Sequence, residues 1–87
     1  MVHPVADIAP LVLFTRQGCC LCEGLEEKLR ALEIPLERRD VDDDPALQER
    51  YGLEVPVLLA RGRELPRVSP RLGVEALRRW LQEHGAI

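Results

Sequence analysis

All three cysteines of the chain fall within four positions, Cys19-Cys20-Leu21-Cys22, so no disulfide can tie distant segments together. The fold must be held by an apolar core alone, and 87 residues suffice for one domain, 1–87, and no second. Hydrophobic residues are 46% of the chain and aromatics 3%, one each of Phe14, Tyr51 and Trp80, so that core is aliphatic and offers bases no stacking platform. Twelve Lys and Arg against fifteen Asp and Glu give a net charge of −3, which opposes nucleic acid and anionic membranes as partners. The apolar runs are too short for a membrane span, and the N-terminus lacks the charged-then-apolar layout of a secretory signal. A cytoplasmic protein is expected.

Met1 to Pro10 carries two prolines and no clear period, and reads as a loose lead-in. Leu11 to Phe14, ending in Thr15, is a short continuous apolar run of the kind that forms a buried strand. After the loop Arg16-Gln17-Gly18, Leu21, Leu25, Leu29 and Leu32 recur at helical spacing with charges between them, predicting an amphipathic helix that ends near Pro35. Leu36 to Val41 is a strand interrupted by Arg38, Arg39 and Asp40. Asp42-Asp43-Asp44-Pro45 marks a helix start, with a carboxylate cap and proline at the first helical position, and Gly52 marks its stop. Val55 to Ala60 is a second buried strand. Arg61-Gly62 turns the chain into a last strand, Leu65 to Val68, which Pro66 confines to an edge. Val74, Leu77, Trp80, Leu81 and His84 then line one side of a final helix that Gly85 ends. The order βαβαββα predicts an α/β fold: a parallel pair with a right-handed crossover plus an antiparallel hairpin, in a mixed four-stranded sheet flanked by helices.

Chemistry concentrates where the first strand's loop enters the first helix. Cys19 and Cys22 are one helical turn apart and can close a small disulfide ring without moving the chain. Free backbone N–H groups and the positive end of the helix favour a thiolate at Cys19, with Arg16 as a nearby positive charge, and in such surroundings thiol pKa values fall from about 8.5 to roughly 3.5–7.5. Cys19 is therefore the expected nucleophile. Cys22 shares a face with Leu25 and Leu29, so it is the more buried and suits a resolving thiol. Cys20 lies in the same field at the surface, as a second attacking thiol, a glutathionylated branch or an inert occupant.

Other groupings carry less. A closed zinc site needs four ligands, and beyond the Cys19 and Cys22 pair only Cys20, His3 and His84 are available, so no metal site is assigned. Asp42, Asp43 and Asp44 read as cap and solvated turn, Glu23 and Glu26 as surface charges favoured by the helix dipole, and Arg67 and Arg71 as solvated arginines.

The segment Thr15-Arg16-Gln17-Gly18-Cys19-Cys20-Leu21-Cys22, the later Val55-Pro56 opening a strand, and the order of elements resemble a glutaredoxin-like protein of the thioredoxin fold, of a short bacterial branch, over Leu11 to His84. The resemblance implies Cys19 as nucleophile, Cys22 as resolving cysteine, Arg16 as the basic residue ahead of the motif, and Pro56 as a cis-proline beside the site. It also implies that the Val55 backbone pairs with a bound peptide or glutathione in strand-like fashion. The chain departs from glutaredoxins in carrying Cys20-Leu21 for the usual Pro-Tyr, and Ser69-Pro70-Arg71-Leu72-Gly73 where a Gly-Gly and acidic residues usually hold glutathione.

The expectation is a thiol–disulfide oxidoreductase acting on protein or glutathione mixed disulfides, with no bound cofactor and glutathione as a candidate co-substrate. A reductase or thiol donor would reset it, and a monomer is expected. Two rival readings use the same residues: an iron–sulfur or soft-metal carrier completed by a second subunit or glutathione, and a non-catalytic adaptor with a redox-switched binding surface.

Overall fold

The computed structural model describes residues 10–87, so the expected lead-in lies outside the described residues except for Pro10. Strand β1 (Leu11–Thr15) pairs in parallel with β2 (Leu36–Asp40) and antiparallel with β3 (Val57–Ala60). The short β4 (Arg63–Glu64) completes a four-stranded sheet in the order β2-β1-β3-β4. With helices α1 (Cys20–Ala31), α2 (Pro45–Tyr51) and α3 (Val74–Glu83), this is the expected βαβαββα order, with a 3-10 turn, Val41–Asp43, between β2 and α2.

The continuous apolar run of β1 is explained by burial on both faces of the sheet. Leu11 and Leu13 join Leu25 and Leu29 of α1, Leu77 and Leu81 of α3, and Leu58, Ala60 and Leu65 in one aliphatic cluster. On the opposite face Phe14 packs with Val41, Val57 and Tyr51 of α2, its ring centroid 4.7 Å from that of Tyr51. Fully burying such a side chain is worth about 1.5–3 kcal/mol, so the two clusters supply most of the drive to fold.

Local chemistry sets the boundaries, and in four places it moves them from those expected. Leu21 is 50% exposed and outside the apolar stripe of α1, which starts instead at Cys22 and continues through Leu25 and Leu29. Leu21 lies about 100° round the helix from Cys22, enough to turn it out of the core. The same helix stops at Ala31, well before Pro35, because Glu33 adopts a left-handed backbone, φ +58°, that no α-helix can continue. Strand β2 ends at Asp40, whose carboxylate caps the 3-10 turn by accepting from the Asp42 N–H at 2.9 Å. Strand β3 begins at Val57, leaving Val55 and Pro56 ahead of it.

The last strand also lies earlier than expected, at Arg63–Glu64 and not at Leu65 to Val68. Arg61 (φ +53°) and Gly62 (φ +79°) form the tight turn, and the Leu65 N–H donates to the Leu58 carbonyl at 2.9 Å. Pro66 has no N–H to offer, so the ladder ends there and Leu65 to Val68 runs on as loop. The α2 start is as its sequence indicates: Asp44 accepts from the Ala46 N–H at 2.9 Å and Pro45 fills the first helical position.

Candidate active site

The loop from β1 to α1 turns at Gly18, whose φ of +84° is open to glycine at little cost. That turn delivers Cys19 to the N-cap of α1, where its N–H donates to the Arg16 carbonyl at 3.1 Å and its Sγ accepts the Cys22 N–H at 3.2 Å. A side chain usually reserved for Ser, Thr, Asp or Asn is thus replaced by a sulfur. One backbone donor faces it at the amino end of α1. Cys19 is half-buried, Cys20 exposed, Cys22 buried, and all three thiols are free.

Cys22 is fully sequestered on the inner face of α1. Burial, and then its hydrogen bond with Cys19, push its thiol pKa up, while the Thr15 side chain and the Arg16 main chain pull in the opposite direction. The site therefore pairs an accessible sulfur facing a backbone donor with a protected one held in its protonated form.

Arg16 is engaged by the opposite side of the fold. Its Nε lies 3.1 Å from both carboxylate oxygens of Asp42, and its Nη1 donates to the Gly52 carbonyl at 3.1 Å. Its positive charge, expected to act on Cys19, is matched by Asp42. Asp42 also accepts from Gln48 Nε2 at 3.0 Å, so one of the three aspartates read as solvated turn is a structural anchor. Asp42 and Gly52, missed in the sequence, lie 26 and 36 positions from Arg16, and no local pattern signals such pairs.

The Val55–Pro56 peptide bond is cis. The Val55 N–H donates to the Tyr51 carbonyl at 3.1 Å, so that main-chain donor is already engaged within the chain. Pro56 lines a groove of about 100 Å³ between α1 and the loop that follows β4. Cys20, Leu21 and Lys28 line one wall, Arg67 and Ser69 the other, and Arg71 is not part of it. Lys28 donates to the Pro70 carbonyl at 3.0 Å and Arg67 to the Glu54 carbonyl at 3.1 Å, so both cations brace the walls. Lys28 was hidden in the sequence among the charges of an ordinary helix surface.

No group of three or more metal-ligating side chains is assembled among the described residues. His84 stacks on Trp80 with its Nδ1 2.8 Å from the Trp80 carbonyl, and His3 lies outside the described residues. Glu26 binds Arg30 at 2.8 Å and Arg38 at 3.2 Å across the surface. No described helix is long and apolar enough to cross a membrane.

A mixed sheet with helices on both faces, a cysteine pair at the first helix N-terminus and a cis-proline just ahead of β3 define the thioredoxin-like class. Within it, residues 10–82 match the Glutaredoxin-like domain (DUF836), and the chain belongs to that family. It is 39% identical to the structural-genomics target protein XcR50 from X. campestris, with a TM-score of 0.67 over 84% of this chain and 96% of that one. Glutaredoxin C1 from Populus tremula x tremuloides shares the fold at 18% identity, with a TM-score of 0.57 over 86% of this chain and 76% of that one. Among curated relatives, N-acetyl-S-hydroxy-L-cysteine reductase of Bacillus subtilis (strain 168) is 27% identical, the match covering 95% of each chain. Family and relative together support thiol redox activity in general.

Proposed function

We propose that the protein is a dithiol oxidoreductase in which Cys19 is the attacking sulfur and Cys22 the resolving one. The observation that carries this reading is the Cys19 Sγ at the N-cap of α1, facing the Cys22 N–H at 3.2 Å, with the Cys22 thiol buried against it. The Cys19 thiolate attacks a substrate disulfide, one substrate sulfur leaves as thiolate, and a mixed disulfide forms at Cys19. Cys22 gives up its proton and attacks the Cys19 sulfur, releasing the second substrate thiol and closing the Cys19–Cys22 disulfide. An external thiol or a reductase returns the pair to the dithiol, and the cytoplasm is the compartment that suits such a cycle. The substrate is a protein disulfide or a glutathione mixed disulfide, seated against Pro56 with the Val55 carbonyl as main-chain acceptor.

The Bacillus relative favours a second substrate class at the same residues, a small sulfenic acid. The Cys19 thiolate would attack the sulfur of R–SOH, expelling hydroxide that is protonated to water, and Cys22 would then release R–SH as before. Both routes end in the same intramolecular disulfide.

The reading is tested by trapping. Cys22→Ser should halt after the first step and accumulate a covalent adduct at Cys19, visible as an added mass that dithiothreitol removes. Cys19→Ser should form no adduct and reduce nothing. Equal turnover in the two variants would remove the role assignment.

A further inference from the structure

We propose that Arg16 is a positioning residue that holds the Cys19 loop against the segment leading to Pro56, and so sets how readily Cys19 and Cys22 join. This rests on the dithiol reading above. The main chain of Arg16 touches both sulfurs' surroundings: its carbonyl accepts the Cys19 N–H at 3.1 Å, and its backbone faces the Cys22 sulfur. Its side chain reaches away, to both oxygens of Asp42 and to the Gly52 carbonyl. Gly52 directly follows Tyr51, whose own carbonyl accepts the N–H groups of Glu54 and Val55. One residue therefore links the cysteine loop to the turn that presents the Val55–Pro56 bond.

The two halves of the site otherwise come from segments far apart in sequence, and a planar guanidinium with several donors is suited to fixing them in one geometry. Gly52 fits its place in the clamp, since a Cβ there would come within 2.5 Å of the Gln48 carbonyl oxygen and 3.6 Å of Arg16 Nη1. The Arg16 and Asp42 side chains are 35% and 38% exposed, so the clamp contributes little to global stability and its effect is local. Because Asp42 already matches its charge, Arg16 acts on the dithiol through placement and makes no contact with the substrate.

The test is the equilibrium between dithiol and disulfide in graded mixtures of reduced and oxidised glutathione, measured for the wild type, Arg16→Met, Asp42→Asn and the double variant. Oxidised glutathione takes the two electrons and leaves as two thiols when the Cys19–Cys22 bond forms. Loosening the loop lowers the effective concentration of one sulfur at the other, so each single variant should disfavour the disulfide about three- to fivefold. The double variant should add nothing further, and Arg16→Lys should recover part of the effect. Weakened affinity for an anionic disulfide in Arg16→Met but not in Asp42→Asn would make Arg16 a substrate contact and overturn the proposal. A lowered unfolding midpoint with an unchanged redox equilibrium would overturn it as well, leaving a purely structural ion pair. A wild-type protein that forms no Cys19–Cys22 disulfide in these buffers would refute the dithiol reading itself.

Discussion

At the scale of single residues, the division between two sulfurs three positions apart follows from where one helix begins. Cys19 is outside the first turn and can meet solvent; Cys22 is inside it and cannot. Burial and the Cys19 hydrogen bond hold the Cys22 thiol above its ordinary pKa, so folding favours its protonated form. That contribution to stability is fully present below the ordinary thiol pKa of about 8.5 and is lost as pH rises through the raised folded value. Urea unfolding of the reduced protein should show it: the stability gap between wild type and Cys22→Ala should narrow between about pH 7 and about pH 10. A gap that stays constant or widens contradicts the raised value. The N-terminal placement of Cys19 and the burial of Cys22 were legible because both follow from spacing at a helix start. The tie between Arg16 and Asp42 was not, because an ion pair across 26 positions leaves no trace in local periodicity.

Elements were read best where a backbone requirement forces a residue type. Asp44-Pro45 and Arg61-Gly62 announced a helix start and a tight turn because capping and a left-handed backbone each favour few side chains. Removing the cap tests the first of these. Asp44→Ala should destabilise the protein by about 0.5–2 kcal/mol in denaturant unfolding, and an unchanged midpoint would mean that α2 is held by Tyr51 packing alone. Reading failed where apolar character was the only cue. Leu21 continued the leucine spacing yet faces solvent, since a helical stripe drifts and Cys22, a small hydrophobe, took the inward position. Leu65 to Val68 looked like a strand, yet the strand is Arg63–Glu64 and only one further bond, from the Leu65 N–H to the Leu58 carbonyl, follows it, because Pro66 cannot donate to the ladder.

For the whole molecule, the consequence of having all its cysteines in one short segment is that stability rests on two clusters divided by one sheet. Leu77 and Leu81 of α3 are wholly buried against Leu29, Leu13 and Leu58. Leu77→Ala should cost about 2–5 kcal/mol, a large share of the roughly 5–15 kcal/mol that a domain possesses. The midpoint of thermal or urea unfolding measures it, and a loss well under 1 kcal/mol would show that α3 repacks freely. The overall architecture was legible from the order of runs and turns, because short connections leave few ways to arrange strands and helices of this length. The location of the groove was not, since its walls come from α1, Pro56 and the loop after β4, brought together only by the finished sheet.

The sulfur that caps the start of α1 is also one of the two proposed to change oxidation state. While reduced it accepts the Cys22 amide hydrogen, and once bonded to another sulfur it becomes a poorer acceptor, so the opening turn of that helix loses part of its anchor. Exchange of that single amide proton with deuterated water should then quicken on oxidation, giving the protein a native gauge of its own electron count that needs no added label.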